Sequence, residues 1–248
     1  MQTCKVLRGA DKIAPLWYKL NHKVKFVGGF VRWMVSPNHD PAPPGDIDIY
    51  PNNTEDRDWV IKEIAKLGLE RLPPASKAMV AAGTDTRFWH VTKLASTATL
   101  LTGQKVQVIN PVNAGHVVAK GTMDELLNNF DFTVTRAGLV SLDEAVVDDE
   151  FIEDEMARRL VIKEIHCPIG AVKRIAKYTR KGYYCSPSEI YKLFVNWDER
   201  NSEYKDELRE ALAAFEGMKE RDFENVDYID GGSDEEIRDR LAQLLYVD

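Results

Sequence analysis

Residues 24–50, VKFVGGFVRWMVSPNHDPAPPGDIDIY, limit what this chain can fold into more than any other stretch. They open with the apolar run Val24–Val27, the pattern of a short buried strand. Gly28 and Gly29 follow at once, then an amphipathic segment, 30–35, that reads as a helix. A Pro-rich loop, 36–45, leads into a second strand that starts Asp46-Ile47-Asp48-Ile49. Residues two apart on a strand share a face, so both carboxylates project together while the isoleucines take the other side. Two adjacent carboxylates repel and raise a pKa unless a cation lies between them. Magnesium, which prefers carboxylate oxygens and substrate phosphates, suits that place. Paired glycines before a helix leave backbone N–H groups open to a phosphate. A phosphate cradle beside a carboxylate pair points to metal-assisted chemistry on a nucleoside triphosphate (NTP).

The order Gly28-Gly29-x-Val31-Arg32, then Asp46-x-Asp48, resembles the DNA polymerase β-type nucleotidyltransferase superfamily, in its poly(A) polymerase and CCA-adding branch. The resemblance runs over residues 20–140, and Trp33 stands where that branch carries an Asp. It implies an α+β fold: a small mixed or antiparallel sheet flanked by helices, followed by an α-helical C-terminal region. It also implies an NTP substrate held at Gly28 and Gly29, and two magnesium ions on Asp46 and Asp48. Arg32 either steadies the helix behind the site or adds positive charge towards phosphate. Asp131-Phe-Thr-Val resembles the Arg-Arg-Asp-Phe-Thr-Ile-Asn-Ala stretch of CCA-adding enzymes, with Asn129 and Phe130 in place of the arginines. Such sites ordinarily use a third carboxylate on a neighbouring strand. Gln107 occupies the natural place for it, which leaves Asp131 as the candidate, with a plain turn or helix-end aspartate as the alternative.

At 248 residues the chain holds one large domain or two modest ones, and we divide it into a core, 1–147, and a helical accessory region, 148–248. With 44% hydrophobic and 29% charged residues it has material for a real core. A net charge of −7 argues against indiscriminate nucleic-acid binding but permits a local basic patch. Three scattered cysteines, Cys4, Cys167 and Cys185, suggest neither a disulfide framework nor a zinc cluster. No apolar run has the length of a signal core or a membrane span, so the cytoplasm is the expected compartment. Oligomeric state is left open.

Helical spacing predicts helices over 10–22, 54–69 (capped by Thr54), 122–130 (a Thr122/Glu125 capping box), 168–181 and 190–197, then 203–219 and 233–246. Ser186 and Glu189 predict a second capping box. Alternation predicts a meander from strands near 78–80, 88–91, 98–101 and 106–109, and another strand over 131–140. The acidic run 148–155 reads as a solvated helix start at the domain join. The helix after Pro168 should bury Ile169, Val172, Ile175 and Ala176. It carries Lys173, Arg174, Lys177, Arg180 and Lys181 with no acid among them. Lys173, Lys177 and Arg180 fall near one face, as contacts to the phosphates of an RNA acceptor or of the nucleotide would require. A helix paired with the acidic run is the alternative. Three functions stay open: nucleotidyl transfer to an acceptor hydroxyl, RNA being one candidate; a degenerate nucleotidyltransferase fold that binds or regulates; and nucleotidylation of a protein or small molecule.

Overall fold

The computed structural model describes residues 1–38, 43–72, 87–91, 95–113, 116–117, 121–165, 168–200, 202 and 205–206. The predicted strand at 78–80 and helix at 233–246, and nearly all of the helix at 203–219, lie outside them, as do His39, Asp40 and Cys167. The strands are β1 (Gln2–Lys5), β2 (Val24–Val27), β3 (Asp46–Pro51), β4 (His90–Val91), β5 (Ala95–Thr99) and β6 (Lys105–Ile109). Then come β7 (Val112–Asn113), β8 (His116–Val117), β9 (Ala137–Leu139), β10 (Glu144–Val147), β11 (Arg159–Leu160) and β12 (Tyr184–Cys185). The helices are α1 (Ala10–Leu20), α2 (Gly29–Val35), α3 (Thr54–Ala65), α4 (Met123–Asn128), α5 (Phe151–Met156), α6 (Pro168–Thr179) and α7 (Pro187–Glu199).

Eight strands form one mixed sheet in the order β1-β10-β9-β2-β3-β6-β5-β4. β2 and β3 are antiparallel, placing Val27 opposite Asp48, whereas β6 runs parallel to β3 with Gln107 beside Asp48. The expected α+β class, a mixed sheet flanked by helices, is the architecture observed. The period-two burial of β3 splits its two faces. Ile47 and Ile49 enter a core with Phe26 and the α1 residues Ile13, Leu16 and Leu20. On the opposite side Val27 packs with Leu126 and Leu127 of α4, with Tyr50 and Phe130 against them.

A second core joins Phe132 and Val134 to Leu160, Ile162, Tyr178 and Leu193, so chain on both sides of residue 147 builds it. Phe151, from beyond that position, packs into the first core.

Several local expectations give way to tertiary packing. α2 is buried all round rather than amphipathic, because it lies against β2, β3 and β9 on one side and meets α5 side chains on the other. Asn53, not Thr54, caps α3: its side chain accepts the Asp56 N–H at 2.8 Å. Such a cap contributes about 1 kcal/mol. The Thr122/Glu125 capping box is present in both directions. At the start of α7, Ser186 accepts the Glu189 N–H, but the Glu189 carboxylate accepts from the Ile162 N–H at 2.6 Å instead of closing a box. The strand expected over 131–140 is a single bridge at Phe132, a 3-10 turn Thr133–Thr135 and then β9.

The acidic run is solvated only in part: Asp149, Glu150 and Glu153 are exposed. Asp148, Asp154 and Glu155 are buried and hold Arg136, Arg159 and Arg32 respectively. Removing charges from water is repaid only when each finds a partner, and these do. No described helix is long and apolar enough to cross a membrane.

Candidate active site

The site starts at the end of β2. Gly28 has φ +83°, a conformation that side chains rarely adopt, and a Cβ built on it would lie 2.9 Å from Asp48 Oδ2. Only glycine lets the turn come this close to the carboxylate. Gly29 opens α2, and the place of its Cβ is 3.9 Å from Pro44, so the Pro-rich loop borders the turn as a rim. Phe130 also stands 3.8 Å from the Gly28 position, its ring 6.1 Å from that of Tyr50.

Asp46 and Asp48 share one face of β3 and are both partly exposed. Burial, then the neighbouring Asp46 charge, pushes the Asp48 carboxyl up to about 7, while Lys177 pulls it down. Asp48 therefore holds its proton into the neutral range in the absence of a cation. Lys177, Lys173 and Arg180 lie exposed on the end of the chain's basic helix, and none is in an ion pair among the described residues. The acids of 148–155 pair with Met1, Arg32, Arg136, Arg159 and Lys163 rather than with these three. The buried face of α6 is Ala171, Ile175 and Tyr178, while Val172 and Ala176 point outward. That inverts part of the predicted apolar side, because the second core lies against Tyr178. Burial raises the Tyr178 hydroxyl pKa; the Arg32 charge opposes the rise, and the Glu155 and Asp48 charges add to it.

Arg32 is buried, its guanidinium bonded to Glu155 Oε1 at 2.6 Å and to the Tyr183 hydroxyl at 2.5 Å. These contacts tie Arg32 to α5 and to the residues after α6. Trp33 packs against Gly9 and Phe30, with Arg8 over its ring, so this position serves the core. Gln107, beside Asp48, donates to Thr97 Oγ1 at 3.4 Å. Asp131 is buried and takes Arg174 of α6 through Nε at 3.0 Å and Nη2 at 3.4 Å. No group of three His, Cys, Asp or Glu suited to a metal occurs among the described residues.

Sequence reasoning missed Phe130, Glu155 and Tyr183. Phe130 and Tyr183 carry no motif, and Glu155 was hidden in a charge run that looks like solvated surface.

A glycine turn thus abuts paired carboxylates at the centre of a mixed sheet. Among solved structures, a CCA-adding enzyme in complex with CTP superposes on 80% of this chain with a TM-score of 0.51 at 18% identity. A CCA-adding enzyme in complex with ATP superposes on 97% of it, with a TM-score of 0.50 at 12% identity. The chain spans 47% of the first protein and 70% of the second. No family model matches the sequence, and no curated protein does. The chain shares the fold of the CCA-adding nucleotidyltransferases.

Proposed function

We propose that this chain is a metal-dependent nucleotidyltransferase that moves a nucleoside monophosphate from an NTP to an acceptor hydroxyl, with RNA the first candidate acceptor. The observation that carries the reading is the approach of Asp48 Oδ2 to the side-chain-free Gly28 turn. The donor set fits magnesium: two carboxylates on one strand face, one of them driven towards neutrality by burial and by the other. One or two carboxylates with substrate phosphates are an ordinary magnesium environment, so Asp46 and Asp48 suffice as protein ligands. When bound, the two ions supply Lewis-acid charge to the acceptor oxygen and the departing pyrophosphate. The Gly28 N–H donates to Ala137 O at 2.9 Å, so it is the Gly29 N–H, at the start of α2, that takes a phosphate oxygen, at a point where no side chain blocks approach. Lys177 offsets negative charge beside Asp48, and Lys173 and Arg180 extend that positive face along α6. Asp131 anchors α6 through Arg174 and is not needed as a third ligand. On this reading the catalytic core is 1–147 with 148–248 as an accessory region, and the setting is cytoplasmic.

Incubation with each labelled NTP, magnesium and total cellular RNA or protein tests the reading. Label should pass to RNA, and Asp46→Asn and Asp48→Asn should each abolish the transfer. Label on protein instead would move the acceptor to a side chain. The absence of a third acidic ligand among the described residues favours one second reading, a degenerate fold that binds nucleotide without transfer. It predicts NTP binding and no labelled product. Changing Lys173, Lys177 and Arg180 together to Ala should weaken RNA binding across sequences and flatten its salt dependence.

A further inference from the structure

Glu155, from beyond residue 147, reaches the helix that follows the glycine turn. It is fully buried on α5, and one of its oxygens, Oε1, accepts from Arg32 Nη1 at 2.6 Å, Ser36 Oγ at 2.6 Å and the Tyr183 hydroxyl at 2.7 Å. Arg32 and Ser36 belong to α2 and its C-cap, so one carboxylate holds both the middle and the end of the helix that Gly29 opens. The Arg32 N–H donates to Gly28 O at 2.9 Å, which ties the gripped residue directly to the turn. Asn38 donates to the Glu155 backbone carbonyl, fixing the start of the loop that leads to Asp46. Tyr183 follows α6, and the Arg32 guanidinium lies 5.8 Å from the Tyr178 ring centroid and 5.6 Å from that of Tyr183.

A buried ion pair is an inefficient way to gain stability, since apolar residues of similar volume usually serve as well or better. What it supplies is a fixed geometry, because three donors converging on one oxygen admit little displacement. We infer that Glu155 and Tyr183 are positioning residues for the proposed nucleotide site, acting through Arg32 to hold the Gly28 turn against Asp48 and to register it with the basic helix α6. This rests on the nucleotidyltransferase reading for its ligand but not for its geometry.

The test uses the full chain with Glu155→Gln and Tyr183→Phe, and Thr133→Val as a control. Thr133 is buried and donates to Asp154 at 2.5 Å, and it makes no hydrogen bond to α2. Two quantities are read: amide hydrogen exchange over residues 28–33, and the Kd for Mg-ATP at a temperature where every variant is folded. Both positioning variants should speed exchange at the turn and weaken Mg-ATP by about tenfold, the scale of one lost bond to a charged group. The control should lose stability and change neither. If exchange at 28–33 is unmoved in both variants, or moves equally in the control, the inference is overturned. If the parent binds no Mg-ATP the nucleotide reading fails on its own, and exchange alone decides the coupling.

Discussion

Replacing Asp48 with Asn removes a charge that the folded chain holds at a cost. The carboxyl is pushed from an ordinary 3.8 to about 7, by burial first and by Asp46 second. A folded-state pKa above the unfolded one means that the folded chain binds the proton more tightly. The stability this confers is complete below 3.8 and drains away as pH rises to about 7. At 1.36 kcal/mol per unit, the whole window amounts to about 4 kcal/mol, of which about 3 lies above pH 5. Asp48→Asn has no such slope, so in EDTA its advantage over the parent should grow from pH 5 to 8 by on the order of 3 kcal/mol. Urea denaturation followed by tryptophan fluorescence at several pH values measures it. Magnesium added at pH 8 should restore stability to the parent and do nothing for the variant. A stability difference independent of pH would refute the reasoning, because the carboxyl would then not be the strained group.

Gly28→Ala should destabilise the chain by about 1–3 kcal/mol, because the positive φ and the Asp48 oxygen both oppose a Cβ, and should lower NTP affinity; chemical denaturation and nucleotide titration read the two effects. Asp131→Asn breaks the buried end of the Arg174 pair, so stability should fall by about 1–3 kcal/mol while divalent-ion binding persists. Loss of the ion with Asp131→Asn would make it a ligand after all. Thr122→Ala removes the α4 capping box at a cost of about 1 kcal/mol, measurable by thermal unfolding, with transfer unchanged.

The parts legible in the sequence are those written locally. The Val24–Val27 strand, the glycine turn and the alternating Asp46 to Ile49 strand need only neighbours two to four residues away, and each lies where periodicity places it. The parallel pairing of β6 with β3 is not local, since it depends on which edge the β4-β5-β6 meander joins. The acidic run shows the same limit more sharply. Glu155 and Arg32 are 123 positions apart. Nothing in residues 148–155 announces a buried partner, so a charged run reads as surface. The basic helix is legible as a charge pattern, and its buried face only in part: Ile175 packs as predicted, whereas Val172 and Ala176 do not, and the Ile169 side chain lies outside the described residues. Tyr178 turns inward because Phe132 and Leu160 wait there, and Val172 is left outside.

The central claim is that Asp46 and Asp48 share divalent ions with a triphosphate held at the Gly28 turn. Electron paramagnetic resonance of Mn2+, titrated into the chain with and without ATP, tests it directly. The account predicts bound manganese that increases with ATP in the parent and is lost in both Asp46→Asn and Asp48→Asn, each still unfolding cooperatively. Equal manganese binding by the parent and by the two variants would contradict it.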